Sequence, residues 1–363
     1  MLTAEASLDL AALRHNLHVL RGRAPGAKLV AVVKADAYGH GVAGLLPALA
    51  EADALAVARL EEGLHLRKLG VTRPILLLEG CFCAADLQLA AQQELHSLIH
   101  SPEQLAAVLA HPLPKPLHAW IKLDTGMHRL GFLPEQLGDI HAQLAACPWV
   151  ADEIGVASHF SCADEPGSAS TQTQLACFIS ATADFPGPKS LANSAGLLYW
   201  PGSQFDWIRP GIALYGIAPD GQRCGADEGL RPVMSLRSRL IAVRDHPAGA
   251  PVSYGEKWCS DRPTRLGVVA MGYGDGYPRS TASGTPVLVN GRRVPLVGSV
   301  CMDMLMVDLG PDAQDQVGDP VLLWGPELPV EEVARHTGTI PYELVIKLTP
   351  RVVRTYRDSD RER

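Results

Sequence analysis

Between residues 29 and 215, short apolar runs alternate with stretches whose apolar residues recur at helical spacing. The runs are LVAVVKA (29–35), ALAVARL (54–60), PILLLEG (74–80), LHSLIH (95–100), LHAWIKLD (117–124), EIGVASHF (153–160), KSLANSA (189–195) and DWIRPG (206–211). Runs of this length, rich in Val, Ile and Leu and bounded by Gly, Pro or Asp, predict buried strands. The intervening GVAGLLPALAEA (41–52), EEGLHLRKLG (61–70), SPEQLAAVLA (101–110), PEQLGDIHAQLAAC (134–147) and TQTQLACFISATADF (171–185) predict helices. Ser101 followed by Pro102 is a good helix start. Strand–helix alternation builds βαβ units on a parallel sheet. Eight repeats over about 200 residues suit a closed (β/α)8 barrel of the TIM type better than an open sheet.

From about residue 231 the texture changes. SLRSRLIAVRDH, TRLGVVAMGYGDGYPR, GTPVLVNGRRVPLVG, CMDMLMVDLG and GDPVLLWG are β-type runs split by Gly, Asp and Pro, and VNGRRV carries an Asn-Gly hairpin signal. The expected organisation is a barrel over residues 9–230 and a mainly-β domain over 231–363, with residues 1–8 a candidate addition to the second. A short helix, VEEVARHTG, is expected near the end, and the RDSDRER tail is expected to fray.

Composition narrows the function. The 363 residues are 47% apolar and 20% charged, an ordinary globular balance. The net charge is −7 with no basic block, which argues against nucleic-acid and membrane-surface partners. MLTAEASLDLAALRHNL lacks an apolar run after a basic flank, and no run of about 18 apolar residues occurs, so a soluble cytoplasmic protein is expected. The eight cysteines fit no zinc pattern, no metal is expected, and they read as buried small apolar residues.

The polar residues at the strand ends supply the chemistry. Chemistry in such barrels sits at the C-terminal ends of the strands. Lys34 ends the first run and Arg59 the second; Lys122 and Asp124 end the fifth, followed by Arg129; His159 ends the sixth, Asn193 and Ser194 the seventh, and Arg209 the eighth. Each alone reads as a rim charge or a satisfied core residue; together they form one ring. Loops after strands 7 and 8 often hold phosphate. Here Ser194 offers a hydroxyl, Gly211 and Ile212 offer backbone N–H groups, and Tyr38 could donate from the opposite side. A lysine facing a phosphate site suits pyridoxal phosphate. A Schiff-base aldolase acting on a sugar phosphate would show similar parts.

AVVKADAYGHG, KLDTGMHRLGF, SHF, FDWIRPGIALYG, SYGEKW, MGYGDGYPR and CMDM occur in the order found in alanine racemases, and the chain resembles that family from LRHNL to LTPRV. The resemblance implies a pyridoxal phosphate enzyme interconverting L- and D-alanine, for peptidoglycan or for alanine breakdown, with a homodimer sharing its sites between subunits. By the same resemblance Lys34 is the cofactor's lysine. Tyr38, Asn193, Ser194, Gly211 and Ile212 lie on the cofactor's phosphate side. Arg209 faces the pyridine nitrogen and His159 braces it. Arg129 and Met302 approach the substrate carboxylate, and Tyr273 walls the entry. Tyr254 is the second base, and Lys122 falls where some members carry a carbamylated lysine. Pro350 stands where some members have a tyrosine near the phosphate, so no contact is carried over there. Rival readings are a broader amino-acid racemase, a decarboxylase on a related scaffold and a non-catalytic pyridoxal phosphate-binding protein.

The chemistry asks for a base on each face of Cα. Lys34 is expected to take the proton from D-alanine and Tyr254 from L-alanine. A free phenol titrates near about 10, and a charged His159 or Arg209 nearby would favour phenolate. Arg209 can only donate. The pyridine nitrogen would then stay unprotonated, limiting side reactions such as transamination.

Overall fold

The computed structural model describes residues 4–358. The chain divides into two compact units: one from Leu17–Ala37 and Leu49–Leu214, the other from the N-terminal segment through Asn16, Tyr38–Ala48 and the chain from Tyr215 onward.

The first unit is the barrel. Lys28–Val32, Ala54–Val57, Ile75–Leu77, His96–Ile99, Ala119–Lys122, Gly155–Ala157, Lys189–Ser190 and Trp207–Ile208 form one parallel sheet in chain order. All eight expected strands are present. Each is shorter than its apolar run, because buried residues such as Val33 and Leu123 continue past the ladder into the loops. The eighth strand returns beside the first, with Ile208 opposite Leu29. The seventh and eighth share no ladder. Their seam is closed by the Ser190 hydroxyl donating to the Trp207 carbonyl at 2.7 Å and by the Arg209 N–H donating to Ala192 O at 2.9 Å. Gly155 lies opposite Trp120, whose ring would sit 2.4 Å from any added Cβ, so a side chain there would displace the indole.

The helices follow their caps. Pro102–Ala110 starts where Ser101 accepts the Gln104 N–H at 3.3 Å, and it buries Leu105 and Val108. The stretch expected as a helix over 41–52 shortens to Val42–Leu45 and a 3-10 turn Leu46–Leu49, since Pro47 lacks an N–H.

The second unit is built on an eight-stranded sheet. Its long central strand, Met234–His246, pairs antiparallel with Ala4–Asp9, Thr264–Val269 and Pro320–Trp324. Ala4–Asp9 also pairs parallel with Val353–Arg357. The expected hairpin joins Pro286–Val289 to Arg292–Val297 through Asn290 and Gly291, at φ 51° and 77°, the positive pair a type I′ turn requires. The expected helix is present as Val330–Thr337. Pro341–Ile346 forms a further one.

Two expectations change. The tail is anchored where it begins: Arg357 is paired in the sheet and lies 3.6 Å from Glu5, and Asp358 accepts from Arg14 at 2.5 Å. The rest of that tail, 359–363, falls outside the described residues. Of the eight free cysteines only Cys81 and Cys147 are buried, while Cys83, which begins the helix Ala84–Gln92, and Cys259, at the end of the short strand Trp258–Cys259, are exposed. No helix among the described residues is long and apolar enough to cross a membrane.

Candidate active site

Lys34 lies just past its strand, and the chain then turns the wrong way. Ala35, Asp36, Ala37 and Tyr38 all have φ between 52° and 54°, a left-handed turn without a glycine. Such a conformation costs about 1–2 kcal/mol per L-residue. Glu62 offsets part of this cost. Its carboxylate accepts the Ala35 N–H at 2.6 Å, the Ala58 N–H at 2.8 Å and the Arg59 N–H at 3.1 Å. The Ala37 N–H donates to Val33 O at 2.9 Å. Lys34 thus stands on a strained turn held by bonds from Ala35 and Ala37. Burial first, then the Arg129 charge, lowers the Lys34 pKa; Glu79 and Glu62 oppose this less strongly. Its amine therefore loses its proton more readily than a surface lysine's.

The other strand-end cations converge on the same place. Lys34, Lys122, Arg129 and Arg209 all act electrostatically on His159, and with burial they hold its pKa well below the usual value. The expected positive charge on His159 is therefore corrected: four cations and desolvation keep it neutral. Burial, followed by Arg209, lowers Lys122 to about 7, Asp124 opposing and Arg129 adding. The Lys122 ammonium nitrogen donates to Leu123 O at 2.9 Å. Arg209 is buried, which lowers it to about 10. Its Nη atoms donate to the Ser190 hydroxyl, to Ser158 O at 2.6 Å and to Leu191 O at 3.4 Å. These bonds, rather than one from the His159 ring, hold the guanidinium. Asp124 shapes the Arg129 loop by accepting the N–H groups of Gly126, Met127 and His128 at 2.9, 3.0 and 3.0 Å. Burial raises its pKa, but those three bonds outweigh it and the net shift is downward.

In the loops after the seventh and eighth strands, the Ser194 oxygen accepts the Gly211 N–H at 2.9 Å and the Ala213 N–H at 3.2 Å. The Gly211 N–H offered by the sequence reading is thus engaged inside the protein, because the two loops close on the serine. The Ser194 hydroxyl, buried and already accepting twice, keeps its own proton to donate. Asn193 caps the helix Ser194–Tyr199, its oxygen accepting the Gly196 N–H at 2.8 Å. A cluster of cations with a donor-ready hydroxyl fits a small, phosphate-bearing anion. No group of three metal-ligating side chains occurs among the described residues.

The remaining sequence-predicted residues belong to the second unit. Tyr38 is buried, its ring centroid 5.1 Å from that of Tyr215 and 6.1 Å from that of Tyr342, and burial pushes its phenol pKa up. Tyr254 is 68% exposed, Met302 53% and Tyr273 38%, an unusual openness for large side chains. Tyr273 and Met302 are tied together. The Tyr273 N–H donates to Cys301 O at 3.0 Å and the Gly274 N–H to Met302 O at 2.8 Å. Arg351 pairs with Asp275 at 3.0 Å and with Asp303 at 2.8 Å, bracing both loops. The Arg279 guanidinium lies 5.6 Å from the Tyr273 ring centroid. Sequence reading missed Glu62, Ser190 and Arg351; Glu62 sits three residues after Arg59, as in a capping box whose first residue is of the wrong type.

Comparison with known proteins places the chain in a family. The family model for the alanine racemase N-terminal domain matches residues 8–219, and that for the C-terminal domain matches 233–356. The chain belongs to the alanine racemase family. It is 57% identical to an alanine racemase of Shewanella baltica (strain OS185) over 347 residues, covering 96% of this chain and 97% of that one. The biosynthetic alanine racemase of Pseudomonas aeruginosa superposes with a TM-score of 0.95 at 48% identity, over 98% of this chain and 100% of that one. The alanine racemase of Bartonella henselae, solved with covalently bound pyridoxal phosphate, superposes with a TM-score of 0.89 at 33% identity, over 98% of this chain and 100% of that one. Alanine racemases thus share both the barrel and the β-rich unit with this chain.

Proposed function

We propose that the chain racemises alanine with pyridoxal phosphate held covalently by Lys34. The observation that carries this reading is the Lys34 amine, depressed in pKa by burial and Arg129, within a cluster of cations that includes Arg209 and Lys122. When bound, the cofactor supplies an electron sink for the Cα carbanion. Ser194, Ile212 and Tyr38 hold the phosphate, with the Gly211 N–H contributing through Ser194. Arg209 would face the pyridine nitrogen of the bound cofactor and, as a donor only, would leave it unprotonated. Arg129 and the Met302 N–H receive the substrate carboxylate, and Tyr273 narrows the entry to suit a methyl side chain. Lys34 moves a proton on one face of Cα and Tyr254 on the other. Lys122, lowered to about 7, offers an amine able to take up CO2 as a carbamate.

The exposure of Tyr254 and Met302 in a single chain supports a homodimer in which each subunit completes the other's site. Tyr254→Phe tests the assignment. Loss of α-proton exchange from L-alanine with exchange from D-alanine retained is expected; equal retention for both enantiomers would contradict it. A chiral assay with alanine, serine and lysine separates this reading from a broader racemase.

A further inference from the structure

The residue before Tyr254 is held in a conformation that serine rarely adopts. Ser253 has φ 66° and ψ −174°, a region populated essentially only by glycine. Glycine would fit there without strain, yet the chain carries a hydroxyl. That hydroxyl is used: it donates to the Ser299 carbonyl at 2.8 Å. The Ser299 hydroxyl in turn donates to the Tyr254 carbonyl at 3.0 Å. The Ser299 hydroxyl thus holds the Tyr254 carbonyl, and the Ser253 hydroxyl ties the preceding residue to the same Ser299. The Cys301 thiol closes the group, 3.4 Å from the Ser253 oxygen and 3.6 Å from Ser299 O.

The surroundings leave this grip little room. Gly298, at φ 71°, brings the second strand of the grip close: a Cβ there would lie 2.9 Å from Val252 O and 3.0 Å from the Ser253 Cβ. Val252 is packed with Leu266 and Val297 in a small core that Trp258 and Met306 border. The Ser253 backbone is thus fixed below by packing and beside by hydrogen bonds. The Tyr254 side chain above it is 68% exposed within the single chain, so the backbone beneath it supplies the contacts this chain makes to set its direction.

We propose that Ser253 and Ser299 are positioning residues for the Tyr254 phenol, the strained backbone of Ser253 serving to aim it. This rests on Tyr254 acting as a proton-transfer base. Strain held by a specific bond at a reacting residue makes a distinctive prediction: relieving it should cost rate and not stability. A misplacement of about 1 Å can cost about 100-fold in rate.

The test uses the holoenzyme of Ser253→Gly, Ser299→Ala and Tyr254→Phe. Ser253→Gly keeps a backbone that suits the site and loses only the hydroxyl and the strain. It should fold with an unchanged or raised melting temperature and lose roughly 10- to 100-fold in kcat, with KM nearly unchanged. The primary isotope effect on α-deuterated L-alanine should rise while that on α-deuterated D-alanine falls. Ser299→Ala, which removes only the bond to Tyr254 O, should shift the isotope effects in the same direction by less. A merely structural role would move stability and leave the two isotope effects in their original ratio. Wild-type kcat and isotope effects in Ser253→Gly, beside a Tyr254→Phe enzyme that has lost the L-alanine step, overturn the positioning role while the assignment of Tyr254 stands. Wild-type rates in Tyr254→Phe overturn that assignment and the positioning role with it.

Discussion

At the scale of single residues, charge is decided by neighbours that sequence order does not reveal. His159 reads as a cation when seen beside Ser158 and Phe160. In space it meets Lys34, Lys122, Arg129 and Arg209, drawn from three different strand ends, and is held neutral. Lys122 shows the same effect in a form that stability can measure. It titrates near 7 in the folded chain against an ordinary value of 10.5. Between those values the unfolded chain binds the extra proton, so stability rises with pH across that window. Below about 7 both states are protonated and the burial penalty is constant. Lys122→Met should remove the rise: a series of urea midpoints from neutral to alkaline pH should climb for the parent relative to the variant. Parallel curves would show that Lys122 keeps an ordinary pKa. The Ser253 conformation is likewise invisible in the sequence, since SYG specifies a serine and says nothing of its φ.

At the scale of elements, apolar runs were a good guide and polar strands were not. Most barrel strands were legible because they lie in Val-, Ile-, Leu- or Ala-rich runs, although Lys189–Ser190 and Trp207–Ile208 are two-residue strands in more polar ones, and the strand-end rule then placed Lys34, Lys122, His159 and Arg209 together. Ala4–Asp9 was not read as a strand because AEASLD is short and built of small residues; it is one only because it buries Ala6 and Leu8 between two partners. The left-handed turn after Lys34 was not legible, for no glycine occurs in ADAY. Glu62 makes that turn affordable by bonding three N–H groups. Glu62→Gln replaces one accepting oxygen with a donor that faces an N–H. It should destabilise the fold by about 1–3 kcal/mol and slow cofactor uptake at Lys34. Melting of the variant, with absorbance during reconstitution, measures both. A variant with parental melting and uptake would assign the turn's stability to other contacts.

At the scale of the whole molecule, Lys34 belongs to the barrel unit and Tyr254 to the β-rich unit, and the proposed reaction needs one of each. The sequence resemblance suggested a shared site, while the exposure of Tyr254, Tyr273 and Met302 is a structural fact that no periodicity could have supplied. If subunits complete each other, Lys34→Ala and Tyr254→Phe chains mixed and allowed to exchange should regain activity that neither has alone, since each hybrid dimer contains one intact site. Absence of recovery after exchange verified by native mass spectrometry would place both bases in one chain.

The barrel's own closure carries a last consequence. The joint between Lys189–Ser190 and Trp207–Ile208 has no regular pairing, and the Ser190 hydroxyl that spans it also receives the Arg209 guanidinium. Staves of two residues make this the narrowest weld in the ring, and the same oxygen serves as rivet for the arginine that would face the ligand. Whatever immobilises that arginine also fastens the hoop, so occupancy and resistance to heat rise together, and a depleted enzyme should come apart along this line first.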